Sequence, residues 1–155
     1  MKPHWALIAN CGAGRKTSQK KWARVQQLLQ QYAVEYTPFY THQVGHARQY
    51  AIDLVRQGYR YLLVMGGDGT ISEVVDGVMK SGVDTTQVTL ALLPAGTGND
   101  WARYWGIRKI ERAIQVAAQA KSVLVDVGKV TLDTPQPTVR YFINAFGFGF
   151  DARVI

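Results

Sequence analysis

The sequence predicts an α/β fold built on a parallel sheet. Short β-rich runs alternate with helical patterns, which is the order that a parallel sheet requires. The third run, "YRYLLVM" (59–65), is apolar almost throughout, as expected of a strand that is buried on both faces. Glycine-rich turns follow the first, third and fourth runs. The 155 residues, 47% of them hydrophobic, suffice for one ordinary domain with a substantial core.

Strands and helices alternate through the first two thirds of the chain. Each predicted strand is a short β-rich run, and each helix carries apolar residues at helical spacing and ends near a turn signal such as Gly58. The predicted elements are a strand at 4–10, a helix at 18–32, a strand at 33–40, a helix at 44–57, a strand at 59–65, a helix after the turn at 66–69, and a strand at 88–94.

The pattern changes in the last third of the chain. Residues 98–120 are predicted to form two short helices around Gly106. "SVLVDVGKV" (122–130) and "VRYFINAFGF" (139–148) are predicted to form an antiparallel pair joined by the loop "DTPQPT". The change near residue 122 predicts two units, an α/β lobe at 1–121 and the beginning of a β-rich second lobe at 122–155.

Charge and composition limit the classes of partner. Lys and Arg number 18 against 11 Asp and Glu, a net charge of +7, so an anionic partner is favoured: nucleotide, nucleic acid or acidic lipid. The basic residues near the first turn are more typical of a solvated helix face than of a nucleic-acid site. With no apolar run of about 20 residues and a single cysteine, Cys11, we expect a soluble, cytoplasmic protein without an internal disulfide.

The turn after the third strand, within "VMGGDGTISEVVDGVM" (64–79), has the composition of an anion site. Gly66, Gly67 and Gly69 permit positive φ and allow another group to approach the backbone closely. Amide groups at a helix N-terminus favour an anion such as phosphate, and Thr70 and Glu73 have the spacing of a capping box. The alternative is an ordinary tight turn capped by Thr70, with Asp68 as a turn former.

A second turn of the same design follows the fourth strand. "PAGTGND" (94–100) ends a strand and opens a helix that Asn99 or Asp100 could cap. The carboxyl ends of parallel strands meet at one edge, so both turns are predicted to face a common, nucleotide-sized crevice. The first strand ends in "NCGAGRKT", which matches neither the Walker A pattern nor Gly-x-Gly-x-x-Gly.

Four segments in order, "GGDGTISEVVDGVM", "LLPAGTGNDWAR", "VDVGKV" and "YFINAFGFGFDARV", resemble the diacylglycerol kinase catalytic family of lipid kinases, which includes sphingosine kinases. The resemblance covers essentially the whole chain. It implies a three-layer, Rossmann-like lobe of the kind also found in NAD kinases, followed by a β-sandwich lobe. It further implies ATP and Mg²⁺ between the lobes, and a lipid hydroxyl, of diacylglycerol or a long-chain base, as the phosphoryl acceptor.

The resemblance also implies roles for individual residues. Asp68 matches the position beside the transferring phosphoryl group and is the predicted catalytic residue. Asp126 matches a position near the active site, and Asp151 one that faces the lipid head group. Cys11 and Ala13 depart from the family's usual Asn-Pro-x-Ser-Gly in the first turn. The implied nucleotide contacts are Asn10, Gly14, Thr41, Gly66, Gly67, Asp68, Gly69, Thr70, Ile71, Ser72, Glu73, Gly96, Thr97 and Asn99.

One element that the resemblance leads us to expect is missing from the sequence. The family's second lobe returns an Asp-Gly-Glu motif to the active site, and here the Asp-Gly pairs at Asp68 and Asp76 are followed by Thr and Val. We therefore expect the chain to correspond to the nucleotide-binding half of a lipid kinase, with little activity alone. We also expect self-association or disorder in 122–155, where alternating apolar residues would lack a cover, and peripheral contact with anionic membrane. A non-catalytic nucleotide-binding module and another small-molecule kinase, such as an NAD kinase, remain alternatives.

Overall fold

The computed structural model describes residues 2–10, 16–133 and 135–144; for residues 16–19 it describes the backbone alone. Strands and helices alternate as the sequence predicts, and the elements of the first two thirds of the chain lie within a few residues of their predicted bounds. The elements are β1 His4–Ala9, α1 Lys16–Gln31, β2 Glu35–Tyr40, α2 His46–Arg56, β3 Tyr61–Gly66, α3 Asp68–Lys80, β4 Thr89–Pro94, α4 Asp100–Tyr104, α5 Ile110–Gln119, β5 Gly128–Leu132 and β6 Thr138–Phe142.

The first four strands form a parallel sheet in the order β2-β1-β3-β4. Side chains of β1 alternate between the two faces of this sheet: Leu7 packs with α1 and α5, whereas Ile8 packs with α2 and α3. Helices therefore cover both faces, which confirms the predicted three-layer α/β fold. Because β1 and β3 are covered on both sides, nearly all of their residues are buried.

Backbone geometry at the helix ends accounts for two boundaries. Gly58, with φ of 102°, follows α2 as predicted, and the Tyr59 N–H closes the turn by donating to the Leu54 carbonyl. At the end of α1, Ala33 adopts a left-handed φ of 51° and the Val34 N–H donates to the Leu29 carbonyl. These bonds delay the start of β2 to Glu35, two residues beyond the predicted start.

The last third contains the two predicted short helices, α4 and α5, separated at Gly106, whose φ is 70°. The predicted antiparallel pair is present as β5 and β6, but β5 begins at Gly128, and residues 121–127 have no regular secondary structure. Strand β6 packs against α3, so residues 138–143 are half-buried rather than exposed as expected. Among the residues described, no helix is long and apolar enough to cross a membrane.

Candidate functional site

The chain segments that leave β1 to β4 lie side by side along one edge of the sheet. Backbone hydrogen bonds continue past the strand ends: the Asn10 N–H donates to the Met65 carbonyl at 2.9 Å and the Thr41 N–H to the Ala9 carbonyl at 3.0 Å. The Ala95 N–H donates to the Gly66 carbonyl at 2.9 Å. The structure thus brings Asn10, Thr41 and the two glycine-rich turns to a common edge, as expected for a parallel sheet.

The two glycine-rich turns touch each other through Gly67 and Gly96. A Cβ atom on Gly96 would lie 2.6 Å from the Gly67 Cα, and a Cβ on Gly67 would lie 3.2 Å from the Gly96 Cα. The expectation of close backbone approach is therefore confirmed, but the approaching group is the other turn. Gly67 does not use the positive φ that glycine permits, since its φ is −98°. Among the described glycines, positive φ occurs at Gly45, Gly58, Gly82 and Gly106.

Asp68 joins the first of these turns to the helix that follows the second. It is the first residue of α3, and its carboxylate accepts the Asp100 N–H at 3.0 Å and the Trp101 N–H at 3.1 Å. These amides belong to the first turn of α4, where backbone donors have no partner within the helix. Asp68 therefore caps α4, a role that local sequence patterns did not indicate.

The local caps predicted from spacing are wrong. Gly67 is the N-cap residue of α3 and supplies no side chain, and Thr70 lies inside the first turn of the helix. Glu73 does not reach back to this end; its Oε1 accepts the Gly45 N–H at 2.9 Å. Asn99 stands at the N-cap position of α4 in a left-handed conformation, φ 55°, but caps no helix amide.

Glu73 and Asn99 instead hold loops. Glu73 ties the turn at 41–45, which carries Thr41, against α3. Asn99 closes its own turn, since its Oδ1 accepts the Gly96 N–H at 3.0 Å and its Nδ2 donates to the Gly96 carbonyl at 2.6 Å. Both side chains therefore shape the edge of the sheet on which the predicted nucleotide contacts lie.

The space between the two turns is small. It has a volume of about 10 Å³, which is room for about one water molecule. A nucleotide would therefore lie over the outer surface of the turns rather than between them. That outer surface is open, because Asn10, Gly69 and residues 96–98 are exposed. The Ile71 N–H is bonded to the Gly67 carbonyl at 3.2 Å, so the amides before Ile71 lie in the unpaired first turn of α3.

Other predicted site residues stand apart from these turns. The Ile71 side chain is buried in the core between the sheet, α2 and α3, which leaves its backbone for any ligand contact. Ser72 is half-buried on α3. Asp126 is exposed in the irregular segment before β5, and no hydrogen bond between described residues joins it to either turn. Gly14 and Asp151 lie outside the described residues.

A buried carboxylate on α3, Asp76, is a feature that sequence reasoning missed. Its side chain accepts the Lys80 Nζ at 2.9 Å and the Tyr141 backbone N–H at 3.0 Å, and it lies 2.6 Å from the Arg48 Nε and 3.5 Å from an Arg140 guanidinium nitrogen. Asp76 therefore ties α3 to α2 and to β6. An Asp within the apolar run "VVDGVM" (74–79) was the available signal.

The charges around Asp76 determine its ionisation. Burial alone would raise the pKa of this carboxyl, which is 2% exposed. Hydrogen bonds from Lys80 and from the Tyr141 N–H, together with the positive charges of Lys80 and Arg48, outweigh burial and hold the pKa below its ordinary value. Asp76 is thus a carboxylate in the folded protein, with three cations around it.

Comparison with known proteins assigns the family. The model of the diacylglycerol kinase catalytic domain matches residues 4–130, which include both glycine-rich turns and every element from β1 to α5. The chain belongs to the diacylglycerol kinase catalytic domain family. The motifs and the fold support the same assignment.

Two relatives and one solved structure are similar to this chain. The Bacillus subtilis protein YtlR, assigned as a lipid kinase, is 36% identical over 97% of this chain and 49% of its own length. A Bacillus subtilis diacylglycerol kinase is 33% identical over 92% of this chain and 45% of its own length. A diacylglycerol kinase crystal structure from Bacillus anthracis aligns with a TM-score of 0.65 and 24% identity over 84% of this chain and 45% of that one, which shows a shared fold. The chain spans about half the length of the curated relatives that it matches.

Proposed function

We propose that this chain is the nucleotide-binding part of an ATP-dependent lipid kinase, which transfers the γ-phosphoryl group of ATP to a lipid hydroxyl. The observation that carries the proposal is the contact of the two glycine-rich turns at the carboxyl edge of the sheet. The Asp68 carboxylate stabilises this contact by accepting N–H groups from the first turn of α4, which follows the second glycine-rich turn. Phosphoryl transfer depends mainly on positioning and charge neutralisation, so a rigid edge with outward-facing amides is a suitable phosphate support.

The nucleotide is proposed to bind along the outer surface of this edge. The first turn of α3 offers backbone N–H groups and the positive end of the helix dipole to the phosphates. Residues 96–98 are exposed beside it, and Asn10 and Thr41 extend the edge toward β2. The remaining predicted contacts, Thr70, Ser72 and Glu73, would act by supporting the turn.

Mg²⁺ is proposed to arrive with ATP. In the described part of the chain, no three His, Cys, Asp or Glu side chains gather as a metal site. Mg²⁺ in kinases is commonly held by phosphate oxygens and water with one or two carboxylates. The carboxylates of Asp68, in the first turn, and of Asp100, which follows the second turn, are the candidates for that requirement; the Asp100 backbone N–H donates to Asp68.

The lipid acceptor is proposed to be diacylglycerol, because relatives carry the name diacylglycerol kinase. A long-chain base is the alternative that the family resemblance implies. In the described structure both carboxylate oxygens of Asp68 accept backbone N–H groups of α4, so Asp68 has a structural role besides the proposed catalytic one. Because the chain spans about half of those relatives, we expect it to retain nucleotide affinity and to transfer slowly alone. General-base assistance and substrate positioning are each worth orders of magnitude in rate.

Titration calorimetry and amide-shift mapping with Mg-ATP test the nucleotide site. We expect shifts at residues 66–73 and 96–99, with smaller shifts at Asn10 and Thr41. Shifts confined to the opposite edge of the sheet, or none at millimolar nucleotide, would refute the site.

A radiolabelled-ATP assay with diacylglycerol and with sphingosine in mixed micelles tests the activity. Turnover in a form extended to the length of the relatives should be lost in its Asp68→Asn variant. Binding of nucleotide without turnover in the extended form would favour a non-catalytic nucleotide-binding module.

A further inference from the structure

Three cationic side chains from three different elements converge on one oxygen of Asp76. The Nε of Arg48, on α2, lies 2.6 Å from Asp76 Oδ2, and the Nζ of Lys80, on α3, lies 2.9 Å from it. A guanidinium nitrogen of Arg140, on β6, lies 3.5 Å from the same oxygen. We name Arg48, Lys80 and Arg140 together the cation cluster. Because all three nitrogens lie close to one atom, the three positive charges also lie close to one another.

The cation cluster carries more positive charge than Asp76 neutralises. Three cations and one carboxylate leave a net local charge of +2, and no second carboxylate among the described residues forms an ion pair with any member of the cluster. The other oxygen of Asp76, Oδ1, accepts the Tyr141 N–H at 3.0 Å. Like charges this close repel one another, so a further anion beside them would be stabilised.

The cation cluster also has hydrogen-bond donors that no described residue uses. A guanidinium has five N–H donors and an ammonium three. Lys80 donates one hydrogen bond, to Asp76, and in the described part of the chain the terminal nitrogens of Arg48 and the side chain of Arg140 donate none. The side chains of Arg48, Lys80 and Arg140 are 31%, 29% and 43% exposed, whereas that of Asp76 is 3% exposed. The carboxylate therefore occupies the inner side of the cluster, and the outer side faces solvent.

The cation cluster stands apart from the glycine-rich turns. Asp68 begins α3, and Asp76 follows it along the helix by about 12 Å at a rise of about 1.5 Å per residue. Arg48 and Lys80 lie on helices within residues 4–130, which the family model matches. Two of the three cations therefore belong to the α/β layers and do not depend on the ribbon of β5 and β6.

A phosphomonoester matches the cation cluster in charge and in shape. At pH 7 such a group carries a charge of about −1.5 to −2 and has three strong acceptor oxygens. Guanidinium groups bind phosphate through paired N–H donors, and a lysine adds a compact positive charge. A monocarboxylate carries about half that charge and would leave the cluster with an excess of positive charge. The chemistry thus favours a phosphate dianion over a carboxylate.

We propose that the cation cluster binds a phosphate dianion on its solvent-facing side, either inorganic phosphate or the phosphate of a phosphomonoester. The bound anion connects α2, α3 and β6, so its binding stabilises the packing of β6 on α3. This site is distinct from the proposed nucleotide site, because no member of the cluster is a predicted nucleotide contact.

Amide-shift mapping of the full chain with inorganic phosphate, at constant ionic strength, tests the site. We expect saturable shifts at residues 48, 76–80 and 140–141, and none of these with acetate. Arg140→Gln keeps the backbone bond from Tyr141 to Asp76 and should weaken phosphate binding about tenfold. Arg24→Gln is the matched control, because Arg24 is exposed on α1, which covers the opposite face of the sheet. This control should bind phosphate as the native chain does.

Asp76→Asn should change the affinity in the opposite direction. It retains an acceptor oxygen for the Tyr141 N–H but removes the negative charge, so phosphate should bind severalfold more tightly. A purely structural role of the cluster would not produce tighter binding. Circular dichroism shows whether Asp76→Asn is folded, and Arg140→Gln decides the question if it is not.

Glycerol 3-phosphate and a short-chain phosphatidic acid, titrated in the same way, distinguish a soluble phosphomonoester from a lipid head group. Tighter binding of one of them identifies the source, and equal affinity assigns recognition to the phosphate group alone. Equal weakening in Arg24→Gln and Arg140→Gln, shifts confined to the glycine-rich turns, or no shifts at millimolar phosphate would overturn the proposal. Displacement of phosphate by Mg-ATP, or loss of the site in a form extended to the length of the relatives, would overturn it as well.

Discussion

The carboxylate of Asp68 accepts the backbone N–H of Trp101 at 3.1 Å and that of Asp100 at 3.0 Å, although Asp68 stands 33 and 32 residues earlier in the chain. The residue that the family resemblance singles out for phosphoryl transfer is thus also the N-terminal cap of α4. Substitutions of Asp68 should therefore change the structure as well as any phosphoryl transfer, and experiments on this residue need a measurement of each.

Replacing Asp68 with Ala should lower the free energy of unfolding by about 1 to 2 kcal/mol, because α4 loses its cap. Asp68→Asn keeps one acceptor oxygen and should cost less. Urea denaturation followed by circular dichroism measures both. Asp100→Asn is the control, since its exposed carboxylate caps nothing and should change stability by less than about 0.5 kcal/mol. Equal stability of Asp68→Ala and the native chain would contradict the capping role.

Gly96→Ala should separate the two glycine-rich turns, because its Cβ would lie 2.6 Å from the Gly67 Cα. We expect a loss of at least about 1 kcal/mol in stability and a weakened affinity for Mg-ATP, measured by calorimetry. Gly69→Ala is the matched variant: a Cβ there meets nothing within 4 Å, and the residue lies in α3. Gly69→Ala should leave the free energy of unfolding unchanged or raise it by up to about 1 kcal/mol. Equal effects of the two variants would show that the contact between the turns is unimportant.

Glu73→Ala should release the turn at 41–45, since the Gly45 N–H loses its acceptor. The measurement is hydrogen exchange of the Gly45 amide, which we expect to accelerate about tenfold, corresponding to roughly 1.4 kcal/mol in the opening equilibrium. Glu73→Gln retains an amide oxygen at the same place and should preserve most of the protection. If Thr41 contacts nucleotide as proposed, Glu73→Ala should also weaken Mg-ATP binding. Unchanged exchange in Glu73→Ala would rule out this anchoring role.

The stability of the fold should depend on pH through Asp76. The pKa of this carboxyl is lower in the folded chain than in the unfolded chain, so the folded state binds its proton less readily. The stabilisation is therefore fully present above the unfolded value, about 3.9, and is lost as the pH falls through the lower folded value. Urea unfolding between about pH 2 and pH 6 measures this slope. Asp76→Asn should flatten it.

Asp76→Ala should be the more damaging change at neutral pH. It leaves Arg48, Lys80 and Arg140 together without the carboxylate. These cations are half-buried and can be hydrated, so we expect a loss of about 1.5 to 3 kcal/mol, as for hydrogen bonds to charged groups. Asp84→Asn is the comparison for the pH series: hydrogen bonds from Thr86 lower the pKa of Asp84 too, but this residue is exposed, so its replacement should flatten the profile less than Asp76→Asn does. A pH profile unchanged in Asp76→Asn would contradict the role assigned to Asp76.

The sequence by itself determined the order of strands and helices, the parallel sheet, and the placement of two glycine-rich turns on one edge. Apolar periodicity is a local property, and parallel strands always present their carboxyl ends together, so these features need no knowledge of long-range contacts. The same reasoning assigned Thr70 and Glu73 to a capping box and Asn99 to a cap, and there it was wrong. A capping motif is recognised from residues that are close in the chain. A carboxylate, however, accepts a hydrogen bond from any N–H that the folded chain brings near it.

Lys80, four residues after Asp76 on the same helix, is a local partner, but only the tertiary structure decided the distant partners of the three acidic residues on α3. Asp68 bonds across 32 and 33 residues, Glu73 across 28, and Asp76 reaches Tyr141 across 65. Each pairing depends on how α2, α4 and β6 pack around α3, which no local pattern records. The packing of whole elements likewise exposed Tyr104 and Trp105 while half-burying β6, because α3 packs against β6 and no described element covers the end of α4.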